Sequence, residues 1–272
     1  MNQAEKGRVF RALHERAKLF VIPNPWDGAS AKLLAAMGFE ALTTTSAGVA
    51  FGLGRQDGDA KVSREETLAN ARLIVEAVDI PVAADLEDGF GPRPQDAAQT
   101  IRQAADVGLV GGSIEDSTRG GGSPIYDFNL AVERVAAAAE AAHKLDFPFT
   151  FVARAENYLH GRADLDDTIR RLQAYEKAGA DVLFAPGLPS LEAIRTVCQS
   201  VSKPVNVVRG SPGMTLAELE AAGVRRVSTG GSLYRAALAG LEAAAEEIRG
   251  AGTFGYGNGI MSSSEVDALM VK

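Results

Sequence analysis

Short apolar runs alternate with longer amphipathic stretches along most of the chain. Eight such runs recur, and their length is typical of buried strands. They lie at residues 19–23, 40–46, 82–87, 112–116, 150–155, 181–185, 205–208 and 226–229. Residues 7–18, 97–105, 130–143, 165–178 and 191–199 show helical spacing of apolar positions. The pattern therefore predicts strands that alternate with helices.

A glycine follows several predicted helices just before the next strand. Gly38, Gly108, Gly179 and Gly223 stand at these positions, where a left-handed backbone ends a helix. A strand–helix unit repeated eight times indicates a parallel sheet that closes into a (β/α)₈ TIM-type barrel. A doubly wound open sheet is the alternative, but no G-x-G-x-x-G follows the first strand.

The chain changes character after Gly250. Residues 252–259 are rich in glycine, and residues 262–265 (SSSE) are typical of the start of a short final helix. We expect a single barrel domain over residues 1–250, followed by a connector and tail helix over residues 251–272. The tail helix would pack on its own barrel or on a neighbouring subunit.

Composition excludes several classes of protein. The chain of 272 residues is 46% hydrophobic and has a net charge of −7, so it has no basic footprint for nucleic acid. No apolar run reaches the length of a membrane span, and the first residues lack a signal pattern, so we expect a cytoplasmic protein. Cys198 is the only cysteine and is expected to be a small core residue.

Three acidic residues follow the third apolar run directly. Asp85, Glu87 and Asp88 stand at the predicted strand end, before a turn that contains Gly89 and Gly91. Carboxylates crowded together repel one another unless a cation lies among them, and their hard oxygens suit Mg²⁺ or Mn²⁺. A surface turn with solvated acids is the alternative.

Polar residues also follow most of the other predicted strands. Functional residues of a barrel gather at the carboxyl ends of its strands. Besides the three acids, these ends carry Asn24, Trp26, Asp27, Thr45, Ser46, Gly48, Glu115, Asp116, Arg154, Glu156, Asn157, Asn206, Arg209, Thr229, Gly230 and Gly231. The acids of the third and fourth strands would lie beside Arg154, which forms a cation site next to an anion clamp. Such a mouth suits a small carboxylate.

Four segments in order resemble the isocitrate lyase/phosphoenolpyruvate mutase superfamily. They are residues 23–31 (PNPWDGASA), 85–91 (DLEDGFG), 113–116 (SIED) and 153–156 (ARAE). The resemblance implies a (β/α)₈ barrel and a Mg²⁺ held, largely through waters, by acids of the third and fourth strands. It also implies that the last helix is swapped between paired subunits, usually in a tetramer that is a dimer of dimers.

The resemblance also implies roles for individual residues. Asp85, Glu87 and Glu115 match the acids of the metal site, and Asp57 matches an acid that supports it. Ser46 and Ala47 match the groups that hold the substrate carboxylate, and Arg154 matches the arginine that binds a carboxylate or enolate oxygen. From their places at strand ends we add to the substrate-binding residues Trp26, Asn206 and Gly230. Packing at the barrel mouth is the alternative for Trp26.

The predicted lid departs from the described branches of the superfamily. Lyases that act on isocitrate or methylisocitrate carry Lys-Lys/Arg-Cys-Gly-His there, and the mutases and phosphonopyruvate hydrolases carry lysine and asparagine. Residues 117–126 read STRGGGSPIY and have none of these residues. The residues that we assign to the lid are Arg119, Gly120, Gly121, Gly122 and Tyr126. Oxaloacetate-decarboxylating members have a histidine where this chain has Gly231.

These observations predict a Mg²⁺-dependent lyase that cleaves a C–C bond of a small 2-oxo or 2-hydroxy carboxylic acid through a stabilised enolate. The substrate would resemble oxaloacetate or methylisocitrate, and Arg154, Glu115 and Asp57 would be the catalytic residues. Tyr126, His160 or a water would supply any proton that the reaction requires. The alternatives are a mutase or hydrolase of C–P bonds and a carboxylate-binding protein without activity. Expected partners are the substrate and other copies of the chain, with no nucleic acid or membrane.

Overall fold

Eight parallel strands form the centre of the molecule in the computed structural model, which describes residues 1–58, 60–118, 122–209 and 213–271. The strands are β1 (Phe20–Ile22), β2 (Leu42–Thr43), β3 (Val82–Asp85), β4 (Gly111–Glu115), β5 (Thr150–Arg154), β6 (Val182–Phe184), β7 (Val205–Val208) and β8 (Arg226–Ser228). Each pairs with the next in the chain from β2 to β8, and β8 pairs with β1. The N–H of Thr43 donates to the carbonyl of Pro23 at 3.1 Å and links β2 to the end of β1. The predicted (β/α)₈ barrel is confirmed.

Eleven α-helices in the described part of the chain accompany the strands. They are α1 (Gln3–Glu15), α2 (Gly28–Ala36), α3 (Ser46–Gly52), α4 (Arg64–Ala77), α5 (Pro94–Asp106), α6 (Phe128–His143), α7 (Leu165–Lys177), α8 (Leu191–Ser200), α9 (Leu216–Ala221), α10 (Ser232–Ala251) and α11 (Ser263–Met270). The four glycines predicted to end helices all have positive φ, between 89° and 107°. Left-handed termination was thus correctly predicted.

The second predicted strand is shorter than its apolar run. β2 covers only Leu42–Thr43 of residues 40–46. Thr45 has an extended backbone, and its side chain accepts from the N–H of Gly48, so it caps α3. A capping threonine satisfies a free N–H at the helix start, which favours a turn into helix over a longer strand.

Helix α1 covers the amino-terminal end of the barrel. Phe10 and Leu13 are buried in a cluster with Phe20, Ile22, Ala41, Ala83 and Val110 from the strands and their leading residues. A Cβ atom on Gly7 would lie 2.3 Å from the carbonyl oxygen of Pro148, so α1 approaches the loop before β5 closely. Helix α1 therefore closes the amino-terminal end of the barrel, and the open end is the one at which the strands terminate.

The last two helices differ from the rest in their exposure. No residue of α10 is buried, although the helix is 20 residues long. It ends at Gly252 with φ of 66°, and α11 then returns to the barrel, where Lys32 Nζ of α2 donates to the carbonyl of Met270 at 2.7 Å. Within the described ranges, none of the helices combines the length and apolar character that crossing a membrane requires.

Candidate active site

Arg154 stands at the end of β5 and contacts three carboxylates. Its Nη1 lies 3.0 Å from Asp85 Oδ1 and 3.0 Å from Glu115 Oε2. Its Nη2 and Nε donate to Glu156 Oε1 at 2.8 and 3.0 Å. The ring of Phe184 lies 5.0 Å from the guanidinium carbon. The register explains this grouping, because Glu115 pairs with Arg154 and Arg154 with Phe184 across neighbouring strands.

The carboxylates in this cluster outnumber the guanidinium three to one. Burial raises the pKa of Glu115 well above its ordinary value, and Glu156 and Asp85 add to the rise against the opposing effect of Arg154. Burial likewise raises the pKa of Glu156. The cluster therefore has an excess of negative charge that a further cation would stabilise.

The residues predicted to support the metal site adjoin Asp85. The N–H of Ser46, at the start of α3, donates to Asp85 Oδ2 at 3.4 Å. The Ser46 side chain hydrogen-bonds Asp57, whose pKa is raised first by partial burial and then by the charge of Asp85. Ser46, Ala47 and Asp57 all face the same cavity as Arg154. These three predicted residues therefore lie together beside the end of β3.

The cavity beside Arg154 extends into the barrel and has a volume of about 170 Å³. Its wall includes the predicted residues Asn206 and Gly230. Asn24 joins the wall: its Oδ1 accepts from the N–H groups of Thr229 and Gly230 at 2.8 and 2.9 Å. Arg226, which sequence reasoning did not select, also lines this cavity. The alternation of side chains along a strand could have identified it, since Arg226 and Ser228 share one face of β8.

A second cavity of about 210 Å³ is lined by Glu115 and shares Arg154 with the first cavity. Glu87, Asp88, Ser117 and His160 contribute to its wall. Glu87 has a φ of 47°, an unfavourable conformation for a residue with a side chain, and Ser117 Oγ donates to Glu115 Oε1. His160, one of the proposed proton donors, is exposed at this wall.

The acidic side chains near Arg154 supply only oxygen donors for a metal ion. No three histidine, cysteine, aspartate or glutamate side chains of the described residues are grouped to hold an ion directly. Asp85 and Glu115 both contact Arg154, while Glu87 lines the neighbouring cavity. These oxygen donors and the excess negative charge fit a hard divalent cation bound largely through waters.

Trp26 and Tyr126, which were both predicted to act at the site, line neither of the two cavities. The ring of Trp26 packs edge-on against Tyr234, with centroids 5.1 Å apart, and lines a separate groove with Leu53 and Leu73. Trp26 is placed there because the backbone turns into α2 at Asp27, whose side chain caps the helix by accepting from Ser30.

Tyr126 is buried at the end of the predicted lid instead of facing the cavity. Its hydroxyl donates to Asp88 Oδ2 at 3.3 Å, and the Arg134 guanidinium lies 4.3 Å from its ring centre. The two ends of the loop join through a bridge between Ser117 and Ile125. Gly122 has a φ of 93°, whereas Arg119, Gly120 and Gly121 fall outside the described residues.

Asp116 points away from the cavity and supports the site from behind. Its Oδ1 accepts from the N–H of Glu156 at 2.8 Å, and its Oδ2 accepts from Arg171 Nη1 at 3.0 Å and from the hydroxyl of Tyr175. This buried network fixes the backbone that carries Arg154 and Glu156.

The sequence of residues 10–249 matches the family described as phosphoenolpyruvate phosphomutase. The chain belongs to this family, within the isocitrate lyase/phosphoenolpyruvate mutase superfamily. It is therefore an enzyme of a superfamily of lyases and mutases. The resemblance inferred from the four sequence segments is confirmed.

Three similar proteins illustrate this superfamily. A solved structure from Burkholderia cenocepacia J2315, described as a "putative lyase/mutase", is 51% identical with a TM-score of 0.96, over 99% of this chain and 97% of that one. The 2-methylisocitrate lyase of Escherichia coli K12 is 29% identical over 93% of this chain and 88% of its own. The 2,3-dimethylmalate lyase of Eubacterium barkeri is 28% identical over 82% of this chain and 78% of its own.

Proposed function

We propose that this protein is a divalent-metal-dependent lyase that cleaves a C–C bond of a small 2-oxo or 2-hydroxy carboxylic acid. The observation that carries the proposal is the convergence of Asp85 and Glu115 on Arg154, which lines two adjoining cavities at the strand ends. The relatives named for lyase activity on methylisocitrate and dimethylmalate support the same class of substrate.

Asp85, Glu87 and Glu115 would hold Mg²⁺ or Mn²⁺, largely through waters. When bound, the cation would supply positive charge next to the substrate oxygens. Support comes from the three carboxylates that surround a single guanidinium, since this cluster favours a second cation. Asp57, which adjoins Asp85 through Ser46, would orient the groups around the ion.

Arg154 would bind the oxygen that gains negative charge as the bond breaks. Its guanidinium is mostly buried, with 12% of the side chain exposed, so its charge is weakly screened by water. Ser46 and Ala47 at the start of α3 would hold the substrate carboxylate through their N–H groups and the serine hydroxyl. In the structure Ser46 bonds Asp85 and Asp57, and it would exchange these contacts for the substrate carboxylate.

Decarboxylation of an oxaloacetate-like acid would require the least from the lid. The bond to the departing carboxylate breaks, CO₂ leaves with no proton from the protein, and the remaining electron pair forms the enolate. A retro-aldol cleavage would instead need a proton donor, for which His160 is available at the wall beside Glu115. The buried hydroxyl of Tyr126 faces Asp88 and is a weaker candidate.

The test is product formation by the purified protein: pyruvate from oxaloacetate, methylisocitrate and dimethylmalate, and pyruvate or phosphoenolpyruvate from phosphonopyruvate. Each acid is assayed with Mg²⁺, after chelation with EDTA, and after Mg²⁺ is restored. We expect turnover of at least one of the first three acids, loss on chelation and recovery with the metal. Turnover of phosphonopyruvate alone would replace the proposal with C–P chemistry, which the family description favours. Silence with all four acids in the presence of bound Mg²⁺ would contradict lyase activity on this class and favour a carboxylate-binding protein.

A further inference from the structure

Arg226 lies inside the barrel, on the wall of the cavity that also holds Arg154. It begins β8 and is 4% exposed. The strand pairing runs from Arg154 to Phe184, from Phe184 to Asn206 and from Asn206 to Arg226. Because barrel strands tilt, this series of partners follows the wall obliquely. The two arginines therefore stand at opposite ends of this row of paired residues, and both line the same cavity.

Both hydrogen-bond partners of Arg226 are neutral. Its Nε donates to Asn206 Oδ1 at 2.8 Å, and its Nη1 lies 3.3 Å from His14 Nε2. His14 Nδ1 lies 2.8 Å from the carbonyl of Phe10 and must donate to it, which leaves Nε2 as the acceptor. Burial, followed by the charge of Arg226, lowers the pKa of His14 to about 3, so the ring is neutral near pH 7.

Across the described residues, no carboxylate forms an ion pair with Arg226, and no hydrogen bond involves its Nη2. The other buried cavity arginine, Arg154, contacts three carboxylates. Burial lowers the pKa of Arg226 to about 9, which still leaves it charged near neutral pH. A buried charge without a counter-ion is unfavourable unless an anion can join it.

The surroundings of Arg226 suit a carboxylate. The wall of this cavity is polar, since Asn24, Asn206 and Ser228 line it together with Arg226, and Asn206 contacts the guanidinium. Asn206 Nδ2 donates to Ser228 Oγ at 3.1 Å, so the hydroxyl is held on the cavity wall. Guanidinium and carboxylate are geometrically matched, and Nη2 remains available among these contacts.

We propose that Arg226 binds a second carboxylate of the substrate. This carboxylate would lie at the inner end of the cavity, opposite the end that holds Arg154. The preferred substrates are then 2-oxo or 2-hydroxy diacids, whose first carboxylate lies at Ser46 and Arg154. This inference rests on the proposed function, since it assumes that the mouth holds the 2-oxo acid group. Under this proposal, a residue outside the metal site selects substrates by their length and charge.

The test compares acids that differ only in the second carboxylate. Calorimetric titration with Mg²⁺ present measures the Kd of 2-oxoglutarate against 2-oxopentanoate, and of 2-oxoadipate against 2-oxohexanoate. We expect the wild-type protein to bind the better diacid at least tenfold more tightly than its matched monoacid, as a charge-assisted hydrogen bond would provide. Arg226→Gln should lose that preference while its Kd for the monoacids stays within about twofold.

Two further variants separate binding from folding. Arg226→Lys keeps the charge and should retain part of the diacid preference. Arg225→Gln removes the same charge from the neighbouring, half-buried position and should bind like the wild type. Thermal unfolding of each variant checks the fold, and if Arg226→Gln does not fold, the wild-type preference and Arg226→Lys decide the question.

Each other outcome has one meaning. Equal losses for diacids and monoacids in Arg226→Gln, or no diacid preference in the wild type, would overturn the role of Arg226 while Mg²⁺-dependent monoacid binding kept the proposed function intact. Absence of Mg²⁺-dependent binding of either acid class would contradict the proposed function itself, and the inference would fail with it.

Discussion

The two arginines that line one cavity differ in how their positive charges are balanced. Arg154 contacts three carboxylates, whereas the described partners of Arg226 are an amide oxygen and a neutral imidazole. The first arrangement leaves excess negative charge, and the second leaves excess positive charge. A metal ion at the first and a carboxylate at the second would each reduce the electrostatic cost of burial.

Glu115→Gln should lower kcat/KM for the C–C substrate by at least about 100-fold, because it removes charge beside the proposed cation and Arg154. The amide has nearly the same shape, so the unfolding midpoint should be close to that of the wild type. Steady-state kinetics with Mg²⁺ and thermal unfolding measure the two effects. Glu140→Gln on the exposed face of α6 is the matched control. Full activity in Glu115→Gln would show that the site lies elsewhere.

His14 should make the protein less stable as the pH falls. Its folded pKa, about 3, lies below the ordinary value of 6.5, so the unfolded state binds the proton first. The stabilisation is fully present above pH 6.5 and is lost progressively as the pH falls toward 3, by about 1.4 kcal/mol per pH unit. Urea unfolding of wild type and His14→Gln at pH 5 to 7 should show this slope only in the wild type.

The matched control for that experiment is His143→Gln, since His143 is half-exposed and lies 3.2 Å from Asp181. It makes the same substitution at the exposed end of α6 and so separates the effect of the buried position from that of the residue type. An equal slope in His14→Gln and wild type would mean that His14 does not remain neutral when folded.

At the level of elements, helix α1 sets the lower boundary of the barrel and places His14 beneath Arg226. The contact depends on a close approach of Gly7 to the loop before β5. Without that approach, Phe10 could not pack against Gly111, where a Cβ atom would lie 2.6 Å from the Phe10 ring. Small residues at these two points let the helix close the barrel.

Gly7→Ala should therefore destabilise the protein, by about 1 to 3 kcal/mol as expected for overpacking. Alanine ordinarily stabilises a helix interior by up to about 1 kcal/mol relative to glycine, so the sign is informative. Gly52→Ala in α3, where nothing lies within 4 Å of the new Cβ, should be neutral or stabilising. Chemical unfolding measures both, and a stabilised Gly7→Ala would show that α1 does not pack closely.

At the level of the whole molecule, helix α10 and the tail leave apolar surface uncovered in the single chain. Leu238, Leu241 and Ile248 repeat at helical spacing on α10 and are 45%, 66% and 42% exposed. Phe254 and Ile260 in the tail are 68% and 64% exposed. Exposed apolar surface of this extent is typical of a protein interface.

We expect this surface to join subunits, as the superfamily resemblance implies. A chain that ends at Gly252, or one with Leu241→Glu, should have a lower mass by light scattering than the full chain. Leu73→Glu on α4, which is 60% exposed, is the control and should leave the mass unchanged. The same mass for all forms would rule out a tail that holds subunits together.

Local pattern was sufficient to predict the elements and several residues that the structure brings together around Arg154. Apolar runs and glycine stops depend on residues close in sequence, so the count of strands and the ends of helices could be read directly. The acids that end β3 and β4, and the arginine that ends β5, followed from strand order alone. Parallel strands in a barrel place such ends at one mouth, whatever the side chains.

The sequence by itself thus determined the barrel, the superfamily and the residues Asp85, Glu115 and Arg154 at the mouth. Only the tertiary structure decided which side chains share a cavity. Trp26 faces Tyr234, Tyr126 faces Asp88, and Arg226 meets His14 from 212 residues away. The physical reason is that closure joins β8 to β1, and the direction of each side chain depends on strand tilt and on neighbours distant in the chain.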